Sequence, residues 1–296
     1  MLAHMTFLTY FLNGLQAGSI YALIALGYTM VYGIVKLINF AHGEVMMVGA
    51  YVALFSLTSF NLPLWATVLV TMLFTAVLGI VIERFAYKPL RNSARISALI
   101  TAIGVSLLLQ NLVMLIFSPN PLPFPDPLKA APVFEIGGLK VSTLTIGTIV
   151  AAFILMAILT LFINKTRMGK AMRAVSEDTG AAILMGINVN TTISVTFAIG
   201  SALASFAAIL YVLAYPQIQP YMGAMPGLKA FVAAVLGGIG IIPGAMVGGM
   251  VLGIAESLTK GYISSQFSDA VVFGILILVL LFKPSGLFGR NVREKV

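Results

Sequence analysis

Long uncharged stretches, each closed by a short cluster of charges, organise the chain. Residues 5–35 hold no Asp, Glu, Lys or Arg, more than the about 20 residues that cross about 30 Å of hydrocarbon, and predict one helix over about 8–32. A polar break, Lys36-Leu-Ile-Asn-Phe-Ala-His-Gly-Glu44, follows. Residues 45–82 are again uncharged, with Asn61-Leu-Pro63 as a turn because proline opposes helix continuation; this predicts helices over 45–59 and 64–82. Further spans are predicted over 96–117, 141–163 and 191–215. Residues 230–255 read as two short helices meeting at Gly237-Gly-Ile-Gly-Ile-Ile-Pro-Gly244, and a last span begins near Ile263 and ends about Phe282. The result is an all-α polytopic transmembrane bundle of about eight or nine membrane segments, some broken or re-entrant.

Composition agrees with that pattern. Of 296 residues, 60% are hydrophobic and 9% charged, against about 45–50% and about 25% in soluble domains. Seventeen Lys and Arg against nine Asp and Glu give a net charge of +8. In a membrane chain this excess, carried by short loops, reads as orientation signal and anionic-lipid contact rather than nucleic-acid binding. Each of the segments 83–95, 164–178 and 283–296 contains four basic residues, which assigns these loops to the cytoplasm. The segment 118–140, with five prolines between Pro119 and Pro127, is then an extracytoplasmic loop of extended backbone. The chain is one domain over 1–296, with cytoplasmic loops at about 83–95 and 164–190 and a cytoplasmic tail at 283–296. No Lys or Arg precedes the first apolar run, so that helix is expected to remain in the mature protein, with the N-terminus outside.

Enzyme chemistry lacks its parts. There is no cysteine, there are two histidines, and neither H-E-x-x-H, G-x-S-x-G nor G-x-x-x-x-G-K-[ST] occurs. No catalytic residue, metal site or cofactor is assigned to this chain, and any ATP must be hydrolysed elsewhere. Lys229, Glu256 and Lys260 read as interfacial anchors with snorkelling stems. The interior therefore holds no evident acid–base pair, Glu44 and Lys229 being the only obvious counter-charges. The polar break is read two ways: Asn39, His42 and Glu44 line a pathway or gate, or Glu44 is an interfacial residue. Gly237, Gly238, Gly240, Pro243 and Gly244 form a kink able to open and close. Glycines four apart (Gly14 and Gly18; Gly240, Gly244 and Gly248; Gly249 and Gly253) read chiefly as close helix packing. Residues 168–178 predict a short amphipathic helix carrying Arg173, Glu177 and Asp178. Followed by small residues up to Gly186, it suits a groove on a soluble partner.

These motifs carry a resemblance. Gly18-Ser-Ile-Tyr-Ala-Leu-Ile-Ala-Leu-Gly-Tyr-Thr-Met-Val-Tyr-Gly33, Ile38-Asn-Phe-Ala-His-Gly-Glu44, Arg167-Met-Gly-Lys-Ala-Met-Arg-Ala174, Lys229 to Gly240, Pro243-Gly-Ala245 and Gly253-Ile-Ala-Glu256 together resemble the LivH-type permease subunit of bacterial ATP-binding-cassette importers for branched-chain amino acids. The resemblance implies an importer-type permease fold in the bacterial inner membrane and transport of Leu, Ile, Val or related small solutes. It implies a second homologous permease subunit, two cytoplasmic ATP-binding subunits that bind ATP and Mg, and a periplasmic amino-acid-binding protein as partners, beside membrane lipids. It also implies that Gly180-Ala-Ala-x-x-x-Gly186, a weak form of the importer coupling motif, places Ala181, Ala182 and Gly186 with Arg173, Glu177 and Asp178 in an ATPase coupling loop. The rival readings are a stand-alone channel or facilitator for a small neutral solute, and a structural membrane scaffold.

Overall fold

The computed structural model describes residues 2–91, 93–128, 132–136 and 139–289. Asn92 of the first basic loop, residues 129–131, 137 and 138 of the Pro-rich loop and residues 290–296 of the tail lie outside the described residues.

Eleven α-helices are seen among them: α1 (Leu2–Val35), α2 (His42–Thr58), α3 (Leu64–Ile82), α4 (Arg95–Phe117), α5 (Thr143–Lys165), α6 (Arg167–Glu177), α7 (Thr179–Leu184), α8 (Val189–Ala214), α9 (Ala224–Gly237), α10 (Ile242–Tyr262) and α11 (Ser268–Phe282). Seven stretches, on α1, α3, α4, α5, α8, α10 and α11, the last counted together with the 3-10 turn at Ser265–Phe267, are long and apolar enough to cross a membrane; with α2 and α9 this is consistent with the expected eight or nine segments. Most ends fall within a few residues of expectation, but α1 starts at Leu2 rather than near residue 8, α9 at Ala224 rather than near residue 230, and α10 runs on to Tyr262 rather than ending near residue 255. The last span, Ser265–Phe282, begins close to the expected Ile263; it opens with a 3-10 turn, Ser265–Phe267, and Asp269 lies in the first turn of α11.

The basic loops gather at one end of the bundle, where Lys36, Lys88, Arg91, Thr179 and Asn188 line a common cleft. The Pro-rich loop lies at the other. There β1 (Leu122–Pro123) pairs antiparallel with β4 (Gln217–Ile218), Leu122 opposite Ile218, and β2 (Val133–Ile136) pairs with β3 (Leu139–Ser142). α1 runs from the Pro-rich end to the basic end through the middle of the bundle and is the most buried span. α3, α4, α5 and α11 form the periphery, exposing large apolar side chains such as Leu73, Leu115, Leu161 and Leu281. In water such faces would be costly; in lipid they are the solvent-facing surface.

Lipid does not drive apolar helices together as water does, so close packing must hold them, and small residues permit it. A Cβ added to Gly14 would lie 2.7 Å from Ile254 Cα, and one on Gly18 2.8 Å from Met250 Cα. A Cβ on Gly253 would strike Gly18 main chain, and one on Gly249 would lie 2.6 Å from Ala22 Cα. The four-residue glycine spacing thus serves an α1–α10 seam of backbone against backbone. A second stripe on α3, Thr67, Thr71, Thr75 and Gly79, is buried; Gly79 abuts Ser201 of α8, and the Thr75 side chain faces Gly49 of α2.

Candidate functional site

α1 ends where Lys36 adopts the left-handed region at φ 59°, after its amide donates to Tyr32 O at 2.9 Å. The chain then turns back into the bundle. His42 sits against Gly27, eight residues before Val35, so the re-entry amounts to about 12 Å at 1.5 Å per residue. Asn39 holds the turn: its Oδ1 accepts from Ala41 N at 3.1 Å and from Tyr87 Oη at 2.9 Å. Tyr87 is buried at the end of a π-helical turn, Glu83–Tyr87, itself fixed by Glu83, whose carboxylate meets Arg91 and accepts from Ser194 Oγ at 2.7 Å. The His42 ring packs edge-on to Tyr28, ring centres 4.7 Å apart. All three break residues are buried: Asn39, His42 and Glu44 are 3%, 1% and 2% exposed. The interfacial alternative for Glu44 is therefore not what the fold presents.

Glu44 lies in the first turn of α2. Its Oε1 accepts from Gln110 Nε2 at 2.7 Å and from Ser106 Oγ at 3.4 Å, both on α4. Next to it, the α2 start abuts the α9 start. A Cβ on Gly43 would collide with Gly223 O, and one on Gly223 with Gly43 O, so only a glycine pair allows two helix N-termini to meet here. A cavity of about 240 Å³ opens beside this junction, lined by Tyr28, Glu44, Ser106, Gln110 and Gly223 among others. Sequence reasoning missed Gln110 and Ser106; two polar side chains four apart on an apolar span were the available signal.

The glycine turn lies elsewhere. Gly238 and Gly240 have φ of 104° and 91°, Pro243 opens α10, and Gly244 packs on Gly237. This turn sits at the basic end, with Gly240 beside Gly33 of α1. The chain after α11 closes it: Leu287 N donates to Leu236 O at 2.8 Å and Phe288 N to Gly237 O at 3.1 Å. The two groups of expected pathway residues are thus separate in space.

Lys229 and Glu256 differ most from expectation. Neither is an interfacial anchor: Lys229 is 6% and Glu256 2% exposed, and they pair at 2.8 Å. Lys229 also reaches Asp269 at 2.7 Å, Lys260 reaches Glu256 at 2.6 Å, and Tyr21 Oη donates to Glu256 Oε2 at 2.8 Å. Only Lys260, half-exposed at 44% of its side chain, resembles an anchor. The expectation of an interior without an acid–base pair fails because charge in a low-dielectric bundle is tolerable once paired and hydrogen-bonded, and these partners come from four helices distant in sequence. Beside them a polar cleft of about 480 Å³ at the Pro-rich end is lined by Asn13, Gln16, Thr145 and Lys260, among others.

The expected coupling loop is a helix pair at the basic end. Thr166 Oγ1 caps α6 by accepting from Gly169 N at 3.0 Å, and Asp178 Oδ1 caps α7 by accepting from Ala181 N at 3.0 Å. Arg173, Glu177 and Ala181 are exposed and Ala182 is buried. Gly186 ends α7 at φ 79°. Between them Ile183, Leu184 and Met185 are 59%, 89% and 81% exposed, an apolar tip among charges.

Residues 10–280 match the profile of the family described as branched-chain amino acid transport system / permease component. The chain belongs to this family. It is 47% identical to the high-affinity branched-chain amino acid transport system permease protein BraD of Pseudomonas aeruginosa and 46% identical to LivH of Escherichia coli K12, each alignment covering 98% of both chains. The fold of this permease is similar to that of a chain in the solved structure of PsaBC from Streptococcus pneumoniae in complex with Fab, with a TM-score of 0.51 and 13% identity over 97% of this chain and 98% of that one. The relatives are permease components, not catalytic subunits, which agrees with the lack of enzyme motifs. This permease is a multi-pass membrane protein.

Proposed function

We propose that this permease is the membrane-spanning subunit of an ATP-driven importer that carries leucine, isoleucine and valine across the bacterial inner membrane. The observation that carries the reading is identity of 47% and 46% over 98% of the chain to BraD and LivH, both branched-chain amino acid permeases. Its partners in this reading are a second homologous permease, two cytoplasmic subunits that bind ATP and Mg, and a periplasmic amino-acid-binding protein; this chain binds neither nucleotide nor metal. The positive-inside bias supports a cytoplasmic basic end and an extracytoplasmic Pro-rich end. The exposed Ile183–Leu184–Met185 tip between the capped α6 and α7 supports docking of Arg173, Glu177, Asp178, Ala181, Ala182 and Gly186 against an ATPase. The buried break at Asn39, His42 and Glu44 supports a pathway beside the α2–α9 junction, where non-helical backbone is tolerated against protein or water.

Uptake of labelled leucine into vesicles, with and without the partner subunits, tests the reading. ATP-dependent uptake only with all partners is expected; uptake by this chain alone would point instead to a stand-alone facilitator.

A further inference from the structure

We propose that the cavity at the α2–α9 junction is a station for a zwitterionic α-amino acid, the ammonium group on Glu44 Oε2 and the carboxylate at the first turn of α9. The inference rests on the reading of this chain as an amino-acid permease, and it names the contacts.

Glu44 is the one buried carboxylate in the bundle without a cationic partner among the described residues: Glu256 meets Lys229 and Lys260, and Glu83 meets Arg91. Gln110 and Ser106 hold its Oε1 and so fix the plane of the group. Oε2 has no hydrogen-bond partner, and it lies 3.1 Å from where a Cβ on Gly223 would stand, at the mouth of α9. An ammonium donates to such an oxygen and supplies the missing charge.

The carboxylate of the same molecule needs a positive region about one residue's breadth away. A helix N-terminus supplies it through the aligned peptide dipoles. The fourteen-residue α9 starts at this point; Ala224 N already donates to Tyr221 O at 3.3 Å, Gly227 N to Gly223 O at 2.9 Å, and Pro226 has no N–H, so Met225 N is the first-turn amide left for the carboxylate among the described residues. The rest of the cavity wall includes Ile103, Leu107 and Leu228, apolar surface suited to an aliphatic side chain. A zwitterion brings no net charge, so it matches both poles at once. An amine alone leaves the helix end unmatched, and an acid alone sets its charge against Glu44.

The chain has no cysteine, so Ser106→Cys places a single thiol of this subunit in the cavity wall, and Ile103→Cys gives a second that leaves the Glu44 hydrogen bonds intact. In the purified importer complex, leucine is expected to slow modification of either thiol by a small methanethiosulfonate reagent in proportion to 1 + [leucine]/Kd. The slowing reaches about tenfold at roughly ten times Kd. 4-Methylpentanoate, which lacks the ammonium group, gives no slowing, and Glu44→Gln in the Ile103→Cys background abolishes the leucine effect. No protection of either thiol in a preparation that still takes up leucine with ATP overturns the station and leaves the importer reading intact. Equal protection by 4-methylpentanoate overturns the role of Glu44. A complete complex that takes up no leucine overturns the importer reading and the station with it.

Discussion

Lys229 on α9 and Glu256 on α10 meet at 2.8 Å inside the bundle, with side chains 8% and 3% exposed. Each has a second counter-charge, Asp269 on α11 for the lysine and Lys260 for the glutamate, so one cluster ties three helices, and Tyr21 adds α1. Removing one partner of a buried pair costs about 3–5 kcal/mol, whereas removing both is far milder. Lys229→Met is expected to destabilise the protein by about 3 kcal/mol, since Lys260 stays on Glu256. Adding Glu256→Met should restore part of that loss. Thermal unfolding in one detergent measures both; strictly additive losses would show the two residues to be uncoupled.

The glycine seam predicts a sharp contrast between positions. Gly253→Leu puts a side chain into the main chain of Gly18, and overpacking of this kind costs about 1–3 kcal/mol or more. Gly104→Ala and Gly147→Ala meet nothing within 4 Å and remove a poor helix former. Monodisperse yield after detergent extraction should collapse for the first and hold for the other two. Normal yield of Gly253→Leu would mean that α1 and α10 are not packed as described.

How much of this was legible in the sequence follows from the range of the signals. The spans, the break at 36–44, the α9–α10 turn and the amphipathic α6 were readable because hydropathy and helical period are local properties. The Gly14, Gly18, Gly249 and Gly253 spacing announced close packing but not that the two pairs meet each other. Lys229 and Glu256 were misread as anchors because each stands near the end of an uncharged run, and nothing local reveals that α9 begins at Ala224 and carries Lys229 inward. Gln110 and Ser106 went unremarked because their partner, Glu44, lies more than sixty residues away.

Docking and stability separate cleanly in the α6–α7 pair. Leu184 is 89% exposed, so Leu184→Asp should leave unfolding unchanged within about 0.5 kcal/mol, while uptake stimulated by ATP falls. Gly186→Val instead forces a β-branched residue to φ 79°, a strain of about 1–3 kcal/mol, and should lower local stability as well as coupling. Hydrogen exchange over residues 178–190, beside uptake and hydrolysis assays, distinguishes the two. Full coupling in Leu184→Asp would exclude the tip as a contact.

Tyr87→Phe removes the hydroxyl that donates to Asn39 Oδ1. A net loss of about 0.5–1.5 kcal/mol is expected, concentrated in the break and not in the helices. Faster amide exchange at residues 38–44 with unchanged exchange in α8 is the signature; uniform acceleration would assign Tyr87 to general packing.

The α1–α10 seam also limits what can move. Side chains can change rotamer and re-pack, but where two main chains touch there is no side chain between them to yield. In the importer reading, α1 and α10 are therefore the chassis, and alternation of access falls to what is mounted on it: the re-entrant α2, the short α9 that meets it, and α4, whose Gln110 and Ser106 hold Glu44.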